Sequence, residues 1–397
     1  MMTSSHFHID RRLMLVGAAS LVPAIALAPA AQAMPPSFVR SETGSLRTVL
    51  VHPTTVADHA HCTLTCGANP FWQDALDEMV AQQAALTAQL EASGATVLRL
   101  DAMLAAAIES AKQQRVWNRW APILRPDIVD SESLDAAALL GRGDRARPGA
   151  MDGLTCLRDF AVMLPAGLLL CKVTDPARAR QSDLFRFILA FAPALRSYPV
   201  VFDARREGLR AEGADVQLLD AETLLIGVGN HSDPRLAPLL ARRVGMDVIA
   251  VDIRDGSQAR WRLNQDPMRD VHLHLNTALA QIAPECMLAL PQLVDAEGFG
   301  SIRFHYAHSG LSDPSVEGMR LVDYLRARGT RIHVTDGEKQ ATNMLATDPG
   351  VMLAFAGADV THNRLRGEGI RLSTVAGPEV GAGYAGPHCL TLPLERA

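Results

Sequence analysis

No strong excess of charge, no dense set of cysteines and, beyond residue 33, no apolar run long enough to cross a bilayer occur in this 397-residue chain. The formal net charge is -5, which offers no electrostatic footprint for a phosphate backbone, so nucleic acid is not an expected partner. Hydrophobic residues make up 48% and charged residues 20%; that balance supplies a core and argues against disorder. Apart from the close pair Cys62 and Cys66, the cysteines (Cys156, Cys171, Cys286 and Cys389) are scattered. A chain of this size has no need of staples, so a disulfide scaffold is not expected.

The N-terminus has the pattern of an export signal. Met1 to Asp10 is polar, Arg11 and Arg12 follow, an apolar run extends from Leu13 to about Ala28, and Ala31-Gln32-Ala33 forms a small-x-small cleavage site. Pro23 and the shortness of the run argue against a permanent anchor. The expectation is a twin-arginine-type signal over residues 1–33, then a single domain over 34–397 that is periplasmic or secreted, with no membrane partner after cleavage. Soon after, His59, His61, Cys62 and Cys66 crowd one short stretch; chance surface chelation, a local disulfide and a zinc site all fit that spacing.

Repetition decides the fold. Four segments read as apolar hairpins that open on a polar residue: Asp159 to Cys171, Asp215 to Gly227, His274 through Cys286 to Leu290, and Asn343 to Phe355. Each carries Pro, Gly, Asp or Glu between two apolar runs. The triplets Thr174-Asp175-Pro176, Ser232-Asp233-Pro234 and Ser312-Asp313-Pro314 precede helical patterns. Asp at an N-cap with Pro at the first helical position is a sound helix start, because the amide Pro gives up has no partner there. The repeat is therefore a strand-strand-helix unit.

A fifth unit forms only if a C-terminal strand beginning at Cys389 and ending at Leu394 pairs with the N-terminal strand Leu46–His52, which removes a sheet edge and closes a ring. A helix from about Phe71 to Ser93 and a strand Thr96–Leu100 complete that unit. From about 103 to 147 the pattern turns Ala- and Arg-rich and reads as a short helical insert.

In such a ring the residues that open the hairpins converge at one mouth: Asp159, the Glu212–Asp215 turn, His274, Asn343 and Cys389. A thiol, a proton carrier and carboxylates are the inventory of nucleophilic thiol catalysis. Cys389 follows a Gly/Pro-rich loop where a flexible backbone admits a ligand. His272 shares the strand face of His274, while His388 is expected to face away from the cysteine beside it.

Taken in order, Glu42-Thr43-Gly44-Ser45-Leu46, Leu157-Arg158-Asp159, Glu212-Gly213-Ala214-Asp215, His274-Leu275-Asn276-Thr277, Asn343-Met344-Leu345 and Gly386-Pro387-His388-Cys389 resemble the motif set of arginine deiminases. The resemblance covers nearly all of the chain beyond residue 33 and favours His274 over His272. It implies the guanidine-modifying pentein superfamily, a fivefold pseudosymmetric α/β propeller with a central active site. It also implies that Cys389 attacks the guanidinium carbon, His274 shuttles protons, Glu212 orients the histidine and Asp159 grips the guanidinium nitrogens. No cofactor and no metal belong to that chemistry. A planar cation with paired N–H groups suits carboxylate partners, and its charge favours the thiolate.

The departures are specific. Asn276 stands where the family pattern has a second acid. Of three arginines that hold the substrate carboxylate in the family, Arg178 is retained, while His231 and Tyr384 replace the others. The expected activity is hydrolysis of a small guanidino compound through an S-amidino intermediate, giving a citrulline-type product and ammonia, with weakened selection for a free carboxylate. An amidinotransferase, a deiminase of a substituted or peptide-borne guanidine, and a guanidine-binding protein without turnover stay open, as does the oligomeric state.

Overall fold

The computed structural model describes residues 38–55, 76–127, 129–141, 154–175, 178–253, 274–295, 299–338, 341–377 and 385–397. The proposed signal, the Cys62/Cys66 stretch, His272 and Tyr384 lie outside the described residues. No helix among the described residues is long and apolar enough to cross a membrane.

The strands run, in chain order, β1 (Leu46–Val51), β2 (Thr96–Arg99), β3 (Ala161–Leu164), β4 (Gly167–Leu170), β5 (Val200–Asp203), β6 (Val216–Leu218), β7 (Thr223–Val228) and β8 (Asp247–Asp252). They continue as β9 (Leu279–Ala283), β10 (Cys286–Ala289), β11 (Ser301–Tyr306), β12 (Arg331–Val334), β13 (Leu345–Asp348), β14 (Val351–Phe355), β15 (Arg371–Val375) and β16 (Thr391–Arg396). They form five small sheets. All four hairpins read from the sequence are present as antiparallel pairs: β3 with β4, β6 with β7, β9 with β10, and β13 with β14. Their strands are apolar on both faces and almost wholly buried, so they read as continuous apolar runs rather than as alternation.

The repeat has one strand more than expected. After each hairpin the chain crosses through a helix and returns as a third strand parallel to the second: β5 beside β4, β8 beside β7, β12 beside β10, and β15 beside β14. β12 and β15 lie at sheet edges, where β12 has no fully buried residue and β15 only one, and so short and exposed a pattern is hard to tell from a loop. β11 adds a fourth strand to the β6–β8 sheet by pairing antiparallel with β8.

The expected pairing across the chain ends is also present. β16 runs antiparallel to β1, and β2 runs parallel to β1, which completes the fifth sheet. Cys389 does not open β16, however. Residues 387–390 form a turn, with Leu390 N donating to Gly386 O at 3.2 Å and Thr391 Oγ1 to Pro387 O at 2.8 Å, so the strand begins two residues later.

Helix starts differ from the expectation as well. The helix after Asp233 runs Leu236–Leu240, and Asp233 accepts from Arg235 N rather than sitting at the boundary. Asp313 does cap Ser315 N with Pro314 in the first helical position, but of a single 3-10 turn, Pro314–Val316. The helix of the fifth unit is described from Leu76 to Ala92. The insert begins at Leu100, which is the first residue of a helix and not the end of β2; its helices are Leu100–Gln113, Trp117–Leu124 and Ala136–Leu139. Trp117 and Trp120 pack on Phe187 of the helix Ala179–Phe191, at ring separations of 5.4 Å each, and this holds the insert to the unit of β3, β4 and β5.

A buried ion pair joins three of these pieces beside the Cys389 backbone. Arg158 Nη2 donates to Glu42 Oε1 at 2.8 Å and to Val216 O at 3.1 Å, while Leu218 N donates to the same Glu42 oxygen at 3.2 Å. Arg158 N also donates to Cys389 O at 3.1 Å. Burial pushes the Glu42 carboxyl up, but the charge of Arg158 and the bond to His388 outweigh it and hold it well below the ordinary range. Removing one partner strands the other in a dry site. Arg158→Met is expected to cost about 3–5 kcal/mol of stability. Urea unfolding measures this, and a loss below about 1 kcal/mol would show that the pair is not a structural pin.

Candidate active site

The hairpin-opening residues meet around Cys389, and most are almost completely buried: Asp159, Glu212, Asn276, Asn343 and Cys389 are each no more than 4% exposed, and His274 is 9% exposed. The local chain explains how each arrives. Asp159 ends a 3-10 turn over Leu157–Asp159 just before β3. Glu212 is extended at the head of the turn Gly213–Asp215, where Gly213 lies so close to Arg158 that a Cβ would sit 2.1 Å from its carbonyl oxygen. His274 precedes the one-turn helix Leu275–Ala278, and Asp215 caps that turn by accepting from Leu275 N at 3.1 Å.

Cys389 sulfur is held by two carboxamides. Asn343 Nδ2 donates to Sγ at 2.9 Å while its Oδ1 accepts from Cys389 N at 3.0 Å, so both ends of that amide are committed. Asn276 Nδ2 donates to Sγ at 3.2 Å and meets His388 Nδ1 at 3.0 Å. His388 Nε2 lies 3.4 Å from Glu42 Oε2. A proton on Nε2, shared with Glu42, leaves Nδ1 as the acceptor and fixes the amide orientation of Asn276. His388 is therefore not turned away from the site as expected. It sits in a turn, where strand alternation does not apply, and reaches the thiol through Asn276.

Two buried oxygens beside the thiol are left over. Asn276 Oδ1 and Asp159 Oδ1 have no hydrogen-bond partner among the described residues. The other oxygen of Asp159 pairs with Arg178 Nη1 at 3.1 Å, and the Arg178 guanidinium lies 5.2 Å from the Phe160 ring centre. Arg178, read from the sequence as a carboxylate-binding residue, is thus engaged with Asp159.

Glu212 gathers the opposite side. His274 Nε2 is 2.9 Å from its Oε2, His231 Nδ1 is 3.3 Å from its Oε1, and Thr174 N donates to Oε1 at 2.8 Å. Ser232 Oγ accepts from Glu212 N at 3.1 Å and donates to Asp215 Oδ2 at 2.7 Å. Burial alone would push the His274 pKa down; the bond to Glu212 and the charges of Asp215, Asp159 and Glu212 outweigh it and raise it to about 10. Burial raises Asp215 to about 6. Burial, then the charge of Asp159, push the Cys389 thiol up to about 12, against the two amide bonds that lower it. The charge of Arg158 also favours the thiolate, but it is the weakest of these influences.

Of the residues singled out from the sequence, Asn276 and Asn343 bond to the Cys389 sulfur, His274 and His231 face Glu212, and Arg178 pairs with Asp159, whose charge acts on both Cys389 and His274, so that three bonded groups form the network, while Tyr384 lies outside the described residues. Glu42, Arg158, Ser232 and His388 support that network without having been legible as its members. Glu42 and Arg158 belong to the quoted motifs, but nothing in their spacing shows that they pair.

The arginine deiminase profile matches residues 150–313 and 315–396. The arginine deiminase of Rhodococcus opacus (strain B4) is 27% identical over 258 residues, covering 62% of this chain and 60% of the relative. That of Listeria monocytogenes serotype 4a (strain HCC23) is 27% identical over 270 residues, covering 64% of each. The chain thus spans about 60% of the length of the first of these relatives. Among solved structures, the N-terminal domain of ArgZ, a cyanobacterial arginine dihydrolase bound to product, is similar with a TM-score of 0.54 at 13% identity, over 88% of this chain and 97% of that one. Unliganded AgrE is similar with a TM-score of 0.55 at 16% identity, over 88% of this chain and 40% of that one. Identities this low show the fold alone.

The two amides on sulfur make a prediction that needs no substrate. Each charge-assisted bond is worth about 1.5–3 kcal/mol, so Asn343→Ala and Asn276→Ala should each raise the thiol pKa by about one unit or more. Iodoacetamide alkylation followed against pH, with Cys389→Ser as the blank, reads this directly. An unchanged profile in both variants would mean that the amides do not stabilise the thiolate.

Proposed function

The chain belongs to the arginine deiminase family, and from that membership we propose that it hydrolyses the C–N bond of a guanidino group through a covalent S-amidino intermediate on Cys389. The observation that carries the reading is a thiol held by two amide donors beside a buried carboxylate that keeps one acceptor oxygen unpartnered. In this reading the five sheets are the blades of the pentein α/β propeller, and the thiol lies near its axis.

A substrate guanidinium donates to Asp159 Oδ1 and Asn276 Oδ1, the two unpartnered acceptors, and brings a positive charge next to sulfur. That charge offsets the burial and the Asp159 field that otherwise hold the thiol protonated, so the substrate assists its own attack. The thiolate adds to the guanidinium carbon, and the π electrons move onto nitrogen. His274, protonated and held on Glu212, gives its proton to the departing nitrogen; the C–N bond breaks and ammonia leaves. Now neutral, His274 takes a proton from water as the oxygen adds to the same carbon. The C–S bond then breaks as the new hydroxyl gives up its proton to solvent, which releases a neutral ureido product and returns the thiolate. Glu212 changes neither charge nor place, and its task is to hold the imidazole.

Free arginine is not strongly selected in this reading, because Arg178 is committed to Asp159, and His231 to Glu212. A carboxylate clamp deprived of two charge-assisted hydrogen bonds is weaker by several kcal/mol, at about 1.5–3 kcal/mol each.

Cys389→Ser should abolish ammonia release from guanidino compounds without unfolding the chain, and His274→Ala should lower kcat by about two to four orders of magnitude. Agmatine should be processed with a kcat/KM within about tenfold of that for arginine, a gap of about 1.4 kcal/mol. Steady-state ammonia assays on both compounds decide the matter: a fully active Cys389→Ser removes the nucleophile, and a thousandfold preference for arginine removes the specificity argument. Tight guanidine binding with no ammonia would leave a binding protein.

A further inference from the structure

Glu212 holds more than the proton carrier. Its two oxygens face two imidazoles, His274 Nε2 at 2.9 Å and His231 Nδ1 at 3.3 Å, and the ring centres lie 4.6 Å apart. One donor atom from each of the three residues falls within 4.8 Å of the other two. Both imidazoles offer a lone pair to a metal, which an arginine at either position would not.

We propose that Glu212, His231 and His274 form a two-histidine, one-carboxylate site for a divalent first-row transition ion of the zinc class. Imidazole nitrogen and carboxylate oxygen are borderline donors that suit such ions, and three protein ligands leave a fourth position open to water. The surroundings fit a dication. The carboxylates of Asp159 and Asp215 both act on His274, and among the cations of this network Arg178 is bound to Asp159. The carboxylate is also already oriented from behind, by the Thr174 amide on Oε1, and its backbone is tied to Ser232, the kind of support that fixes a metal ligand. An entering ion takes the place of the proton shared between the carboxylate and His274 and releases it to solvent. Cys389 does not belong to this donor set.

The consequence for the proposed reaction is inhibition. With its Nε2 on a metal, His274 neither protonates the leaving nitrogen nor takes a proton from water, so the ion and turnover exclude each other.

The test uses the purified full chain with Co2+ and Zn2+ as the probes, and it reads binding apart from activity. Co2+ titration should give one equivalent with visible d–d absorption, displaced by Zn2+. His231→Ala and His231→Arg should each weaken Zn2+ binding by about a hundredfold or more, with melting temperatures of the metal-free variants checked against the wild type. Cys389→Ser should retain the wild-type titration and spectrum. Absence of stoichiometric binding in the wild type, or unchanged binding in well-folded His231 variants, overturns the site. So does loss of binding in Cys389→Ser with a thiolate–cobalt charge-transfer band in the wild type, since sulfur would then be a ligand. Zn2+ should also stop ammonia release reversibly, with recovery on adding a chelator; activity that instead requires the metal would overturn the inhibitory role while leaving the binding result standing.

Discussion

Glu212 is the group on which the rest of the site depends. It is a carboxylate removed from water and is stable there only because an amide and two imidazoles surround it. The same attraction holds protons on the histidines, and so decides what the site does before any ligand enters. Across the pocket the problem is reversed. Cys389 has partial positive charges from two amides and only the weak field of Arg158 as a full one, and it faces the negative field of Asp159. One side of the pocket is therefore balanced and the other calls for a positive charge, which in the proposed reaction the guanidinium supplies.

Much of this is legible in the sequence, for a physical reason. An apolar run, a turn residue and a second apolar run identify a buried hairpin almost regardless of context, as for Ala161–Leu170 and Leu345–Phe355. Because the hairpins repeat, their opening residues have to share one end, and Asp159, Glu212, His274, Asn343 and Cys389 do. What escapes is held by tertiary context. The strand Arg331–Val334 is short and half exposed, and it is a strand because it lies on β10, not because of its own pattern. His388 faces the site against expectation because alternation does not govern residues that turn. The bond between Glu42 and Arg158 spans more than a hundred positions, and no local rule announces it.

The substitution at Asn276 is best understood together with His388. A second acid at that place would put another negative charge against sulfur and oppose the thiolate. A neutral amide gives up part of the attraction for a guanidinium but offers an N–H to the sulfur, and His388 with Glu42 sets which end of the amide faces it. In the proposed reaction, affinity for the cation and readiness of the thiolate are thus exchanged for one another at a single side chain.

The pairing of β16 with β1 has a consequence for how the chain is made. As the polypeptide leaves the ribosome, β1 emerges early but has no antiparallel neighbour until residues 391–396 have followed it out, so the fifth sheet forms late. The thiol lies just ahead of that strand. A nascent chain short of it, or one trimmed back past it, therefore lacks both the strand that completes the fifth sheet and the sulfur on which the proposed chemistry depends.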